Sequence, residues 1–254
     1  MYEWFVQYQP LAIETWSFWL LIFASFFTSA LTASVGIGGG ILLLAIMANT
    51  MPPLAVVPVH TLVQFGSNAG RLMTLKGFAN WQIVLWVSLG SIVGATLGGQ
   101  LVLNVPVVFL QLALAIFIFY SAWFPIFKLS SGRRSLSFLG FITSFLGMFI
   151  SGTGPFIYVV LKEFFTDRRG IMATVASINV FQQSFRAALF FLLGFAFSDW
   201  IALILMMVAT GFLGTLTGKY MLSRISTQRA DLLLKWVLTV LSLRLLYQSV
   251  IDIL

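Results

Sequence analysis

Ser34-Val35-Gly36-Ile37-Gly38-Gly39-Gly40 splits an apolar stretch into two parts, residues 16–34 and 41–49. A second interruption, Ser151-Gly152-Thr153-Gly154-Pro155, splits residues 136–150 from residues 156–165. Glycine disfavours helix, so each interruption reads as a break between two helical arms. Non-helical backbone at membrane depth survives only when buried in protein or lining a wet cavity. Each break therefore marks a special position in the fold.

The flanking sequence confirms the apolar setting. The 254 residues are 60% apolar and 8% charged, with a mean hydropathy of +1.02. A soluble domain carries about a quarter charged residues, so the chain reads as an integral membrane protein in a lipid bilayer. Six further segments, 54–75, 81–103, 107–127, 171–195, 200–222 and 232–254, run 21 to 25 residues. Each is long enough to cross a hydrocarbon core of about 30 Å. Three of the four arms flanking the breaks are too short to cross comfortably. The expected fold is an all-α polytopic membrane protein with six full transmembrane helices plus two Gly-broken short helix pairs, re-entrant or spanning. The first fifteen residues hold Glu3 and Glu14 but no Lys or Arg. They do not read as a cleavable signal.

The second half repeats the first. Gly36-Ile37-Gly38 matches Gly152-Thr153-Gly154 at an offset of 116, and Gln64, Asn68 and Arg71 match Asn179, Gln183 and Arg186 at 115. Phe78-Ala79-Asn80-Trp81 matches Phe197-Ser198-Asp199-Trp200 at 119, and the pair Gly94 and Gly98 matches Gly214 and Gly218 at 120. The expectation is one transmembrane domain over 1–254, made of two repeats, about 16–128 and 135–254.

Basic residues set the orientation. Arg71 and Lys76, then Lys128, Arg133 and Arg134, then Lys162, Arg168 and Arg169, then Lys219, Arg224, Arg229 and Lys235 fall at every second connection. By the positive-inside tendency these connections are cytoplasmic and both termini lie outside. Repeat one then starts outside and repeat two inside, the inverted topology of many secondary transporters. The net charge of +7 belongs to this pattern, so nucleic acid is not an expected partner.

Several chemistries drop out. There is no Cys, and the single His leaves little for metal or nucleophilic catalysis. All seven carboxylates lie at segment ends or in connections, and no phosphate-loop motif occurs. The chain does not read as an enzyme, and no cofactor or metal is expected.

What remains points to an anion. Helices restarting after the breaks would aim positive ends at it, with Gly36, Gly38, Gly39, Gly40, Gly152 and Gly154 allowing close backbone approach. Ser34, Ser151 and Thr153 add hydroxyls. The competing reading of the glycines is close helix packing or hinges. His60, Gln64, Asn68 and Arg71 are spaced 4, 4 and 3, and Asn179, Gln183 and Arg186 are spaced 4 and 3. Each set shares a helix face. Arg186 lies well inside its segment, and its donor fork suits an oxyanion. Arg71 lies nearer a cytoplasmic end, where snorkelling competes. His60 reads as a satisfied hydrogen-bonding residue or a proton-coupling one. The Gly94/Gly98 and Gly214/Gly218 pairs read as helix contacts.

The Gly-Ile-Gly-Gly-Gly break with its apolar run, Met51-Pro52-Pro53, Ala55-Val56, the stretch from Pro58 through His60-Thr61 to Gln64 and Asn68, and the degenerate copy at Ser151 to Pro155 resemble the sulfite exporter TauE/SafE family. The resemblance spans essentially the whole chain. It implies a multi-pass inner-membrane permease whose partner is a small sulfur oxyanion or organosulfonate. Many members carry a Pro soon after the Gly run and Thr-Ser where this chain has His60-Thr61; Ala45 and His60 depart from that pattern. The expectation is a secondary transporter, exporting by alternating access, with the anion held by the two breaks and the two Arg stripes. The alternative is an anion channel using the same midplane site, and pairing into a homodimer stays open.

Overall fold

The structure is a computed structural model that describes residues 9–35, 38–124, 132–221 and 227–251. Among them ten α-helices and no strand occur. In chain order they are α1 (Thr15–Val35), α2 (Gly39–Ala48), α3 (Pro53–Leu75), α4 (Trp81–Val102) and α5 (Val107–Trp123), then α6 (Arg133–Ile150), α7 (Gly154–Leu161), α8 (Arg168–Leu192), α9 (Ile201–Met221) and α10 (Thr227–Ile251). Short 3-10 turns follow α3 and α7 and precede α9.

Local chemistry explains the boundaries. The Asn80 side chain accepts from Ile83 N–H at 3.2 Å and opens α4. Asp167 Oδ1 accepts from Arg169 N–H at 3.2 Å, so α8 starts three residues earlier than the apolar run at Ile171. Both satisfy N–H groups that a helix end leaves without intrahelical partners. α5 stops at Trp123, where the apolar run had been read to Phe127, and residues 125–131 lie outside the described residues.

Four stretches are long and apolar enough to cross a membrane, Thr15–Ala33, Trp81–Val102, Phe197–Thr217 and Leu232–Ile251. The helices α3 and α8 have the length, 23 and 25 residues, but their polar stripes lower the hydropathy. α5 is apolar but only 17 residues long.

The chain forms two compact units. The first takes its described residues from Met1–Val63, Pro106–Phe124 and Ala196–Leu254; the second from Gln64–Val105 and Pro125–Phe195. Neither coincides with a sequence repeat. Unit one holds α1, α2, the start of α3, α5, α9 and α10, while unit two holds the rest of α3, α4, α6, α7 and α8.

In unit two, Gly90, Gly94 and Gly98 of α4 lie on the carbonyls of Ser137, Phe141 and Phe145 of α6, so close that an added Cβ would overlap each carbonyl or press hard on it. Both series advance by four, so the helices run parallel with backbones nearly touching. Such approach is what small residues provide where lipid is no less apolar than Leu. Unit one has its counterpart: Thr210 Oγ1 donates to Ile22 C=O at 3.0 Å, and a Cβ on Gly214 would overlap Phe26 C=O. The two contacts trade sequence halves, since Gly94 and Gly214 are 120 apart and Phe26 and Phe141 are 115 apart. The expected helix-packing role holds for Gly94, Gly98 and Gly214; the surroundings of Gly218 lie outside the described side chains.

Each Gly break is the tip of a hairpin. Leu136 and Leu139 near the start of α6 share an apolar cluster with Val160 and Leu161 at the end of α7, and with Ile171 at the start of α8. Thus α7 comes back to the end from which α6 set out. In unit one, Ser17 near the start of α1 lines one cavity with Ala48, Asn49 and Pro53 at the far end of α2, so α2 returns likewise.

Candidate functional site

The predicted site residues divide between the two compact units. In unit one, Gly38 caps α2 with a φ of 101°, a conformation L side chains rarely adopt. Its missing Cβ leaves room for the Leu234 side chain, and Gly39 sits against Thr28 C=O and Thr32 Oγ1. His60 is 1% exposed and its Nε2 lies 3.0 Å from the carbonyl oxygen of Gly40. A carbonyl only accepts, so Nε2 carries the proton and donates. This ties α3 to the restart of α2. Gly36 and the side chain of Ser34 lie outside the described residues.

In unit two the remaining candidates meet. Arg186 of α8 is 1% exposed, and its Nη1 donates to Ser151 C=O at 3.2 Å and to Ser151 Oγ at 3.4 Å. Ser151 caps α6 with a φ of 52°, a conformation that costs a non-glycine residue of order 1–3 kcal/mol. That posture ends α6 and turns the Ser151 oxygens to the arginine. One turn before Ser151, an added Cβ on Gly147 would overlap the Arg186 guanidinium. Gly147 is therefore the seat over which the arginine lies.

Among the described residues the Arg186 charge has no counter-charge. Its Nε has no hydrogen-bond partner and is sealed from solvent, and among the described residues no carboxylate forms an ion pair with it. An isolated buried cation is costly to maintain unless something answers its charge.

The other predicted residues of unit two have contacts of their own. Asn179 packs on Gly154 at the start of α7, where a Cβ would lie 3.1 Å from its Nδ2. Thr153 is buried just before α7, with no side-chain capping bond. Gly152 lies between Ser151 and Thr153, its N–H bonded to Ile150 C=O. Asn68 Nδ2 donates to Gln183 Oε1 at 3.3 Å and to Gln64 C=O at 2.9 Å, which joins the two polar stripes. Arg71 donates to Ser67 Oγ at 3.2 Å on its own helix, and its Nε is buried without a partner. Among the described residues no group of His and carboxylates could hold a metal.

Two contributors escape a reading of the sequence. Gly147 looks like any packing glycine until the Arg186 side chain is placed. Gln182, 1% exposed, neighbours Gln183 but faces α4 and α6, donating to Ser91 Oγ at 2.8 Å and Thr143 Oγ1 at 3.0 Å.

These features define an integral membrane protein, all-helical among its described residues, with a buried arginine held against the break between α6 and α7. The chain belongs to the sulfite exporter TauE/SafE family, whose model matches residues 21–245. This is a family of membrane transport proteins with a small anionic substrate. No curated protein and no solved structure matches the chain.

Proposed function

We propose that the protein is a secondary carrier that exports a small sulfur oxyanion, sulfite first or a related organosulfonate, across the inner membrane by alternating access. The observation that carries this reading is Arg186, buried, without counter-charge among the described residues, and with its Nε–H unused. A sulfur oxyanion supplies the missing charge and accepts from that edge of the guanidinium, while Nη1 stays on Ser151. The Thr153 hydroxyl and the positive end of α7 add short-range attraction. The amides of Asn179 and of Gln183, whose oxygen Asn68 already occupies, offer N–H donors to the remaining oxygens.

The return of α2 and of α7 toward the starts of α1 and α6 supports a hairpin at each Gly break, with α1 itself long enough to cross the membrane and the short arms α2 and α7 turning back. The traded glycine contacts support two inverted repeats, and the basic connections support termini outside. Alternating access would then move the compact units, each carrying one hairpin and helices from both repeats, rather than the repeats themselves. The sealed Nε favours a carrier over a channel, because an open path would keep that group in water. An inside-negative potential of 100 mV favours exit of an anion by about 2.3 kcal/mol per charge, so export needs no second ion.

Counterflow in proteoliposomes loaded with unlabelled sulfite tests this. Saturable uptake of labelled sulfite that disappears in Arg186→Ala is expected. Ionic current without counterflow would make the protein a channel, and undiminished counterflow in Arg186→Ala would remove the site.

A further inference from the structure

We infer that Gln182 is a positioning residue for Arg186, fixing the height of α8 against α6 so that the guanidinium reaches Ser151. This rests on Arg186 as the anion contact but concerns a residue outside the polar stripes. Gln182 Nε2 has two hydrogens, and both are spent between helices: one on Ser91 Oγ of α4, one on Thr143 Oγ1 of α6. Each hydroxyl has already turned its own hydrogen elsewhere. Ser91 Oγ donates to Val87 C=O at 2.8 Å, and Thr143 Oγ1 to Leu139 C=O at 2.7 Å. Only lone pairs face the amide, so this position takes a double donor. A carboxylate there would meet two acceptors.

The geometry links this bridge to the arginine. Arg186 lies four residues after Gln182, on the same face of α8 and one turn on. Thr143, Gly147 and Ser151 are likewise spaced by four along α6. Gln182 to Thr143 and Arg186 to Ser151 are thus two rungs joining parallel helices. From Thr143 to Ser151 the helix rises about 12 Å, and from Gln182 to Arg186 about 6 Å, at 1.5 Å per residue. The extended arginine side chain makes up the difference, crossing the bare backbone at Gly147 on the way. A small slip of α8 therefore withdraws the guanidinium from the Ser151 oxygens.

The test follows the Nε–H resonance of Arg186 by nitrogen-15 NMR in nanodiscs, assigned by its loss in Arg186→Lys. Gln182→Met, close in volume but without donors, is expected to shift that resonance and to speed its exchange with water at least tenfold, leaving Arg71 unchanged. The double variant Ser91→Ala with Thr143→Val, which removes the acceptors and keeps Gln182, is expected to do the same. An unaltered Arg186 resonance in either folded variant overturns the inference. Sulfite titration separates the two claims. Wild-type binding that weakens about tenfold in Gln182→Met and vanishes in Arg186→Ala supports both. Binding lost in Arg186→Ala but unchanged in Gln182→Met overturns the positioning role alone. No wild-type binding, with the Arg186 resonance still answering to Gln182→Met, overturns the sulfite reading and leaves the positioning role standing.

Discussion

The two units share a frame and differ in what fills it. Each has a Gly-broken hairpin and a parallel helix pair in which a glycine of one helix lies on a phenylalanine carbonyl of the other. At the break of unit one the polar partner is an imidazole, His60 donating to Gly40 C=O. At the break of unit two it is cationic, Arg186 donating to Ser151. Under the proposed repeat, the two halves differ at the residues beside each break. Leu31 stands 116 residues before Gly147, so the first copy has a side chain where the second leaves the seat for its arginine. Val175 stands 115 residues after His60, so the second copy lacks the imidazole. On that reading, glycines set where backbone is bared, and single side chains beside them decide whether the place holds charge.

The largest effect is expected where the units are alike. Gly94→Leu and Gly214→Leu each force a side chain into a carbonyl of the facing helix, and both should abolish folded protein, read as loss of the monodisperse peak on size exclusion. Survival of one variant alone would show that the shared frame matters in only one unit.

The next effect separates them. Arg186→Ala should cut sulfite flux roughly 100-fold, as about 2.7 kcal/mol of charge-assisted hydrogen bonding implies, while its counterpart Arg71→Ala should cut it roughly tenfold. Equal losses in proteoliposome flux would erase the distinction.

Moving the seat is the third way to sharpen the comparison. Gly147→Ala drives a Cβ into the guanidinium and should lower flux roughly tenfold or more, whereas Leu31→Gly, its partner in the first copy, should keep flux within about twofold. The smallest effect belongs to the break of unit one. His60→Leu removes one donor and should cost about 1 kcal/mol, a fall of about 2–4 °C in melting temperature, read by differential scanning fluorimetry.

Much of this frame is legible without coordinates. Glycine clusters announce breaks because they act on the backbone locally, and Gly94, Gly98 and Gly214 announce close packing because spacing by four marks one helix face. Arg186 is legible because an arginine in an apolar helix needs a reason. The compact units are not legible: periodicity shows which face is buried but not which helix covers it, so the exchange of α4 and α9 with the other half stays hidden. Gln182 is hidden for a related reason. A helix packed on several sides presents polar groups on more than one face, and a search along a single stripe reaches Gln183 and passes over its neighbour.

The central claim is that Arg186 of unit two waits for a sulfur oxyanion, and melting temperature against sulfite concentration, in wild type and Arg186→Ala, tests it most directly. At about 100 times the dissociation constant a ligand adds about 2.7 kcal/mol to the folded state, so wild type should melt higher with sulfite and not with an unrelated carboxylate, and Arg186→Ala should show no rise. An equal rise in both proteins, or none in wild type, would contradict the account.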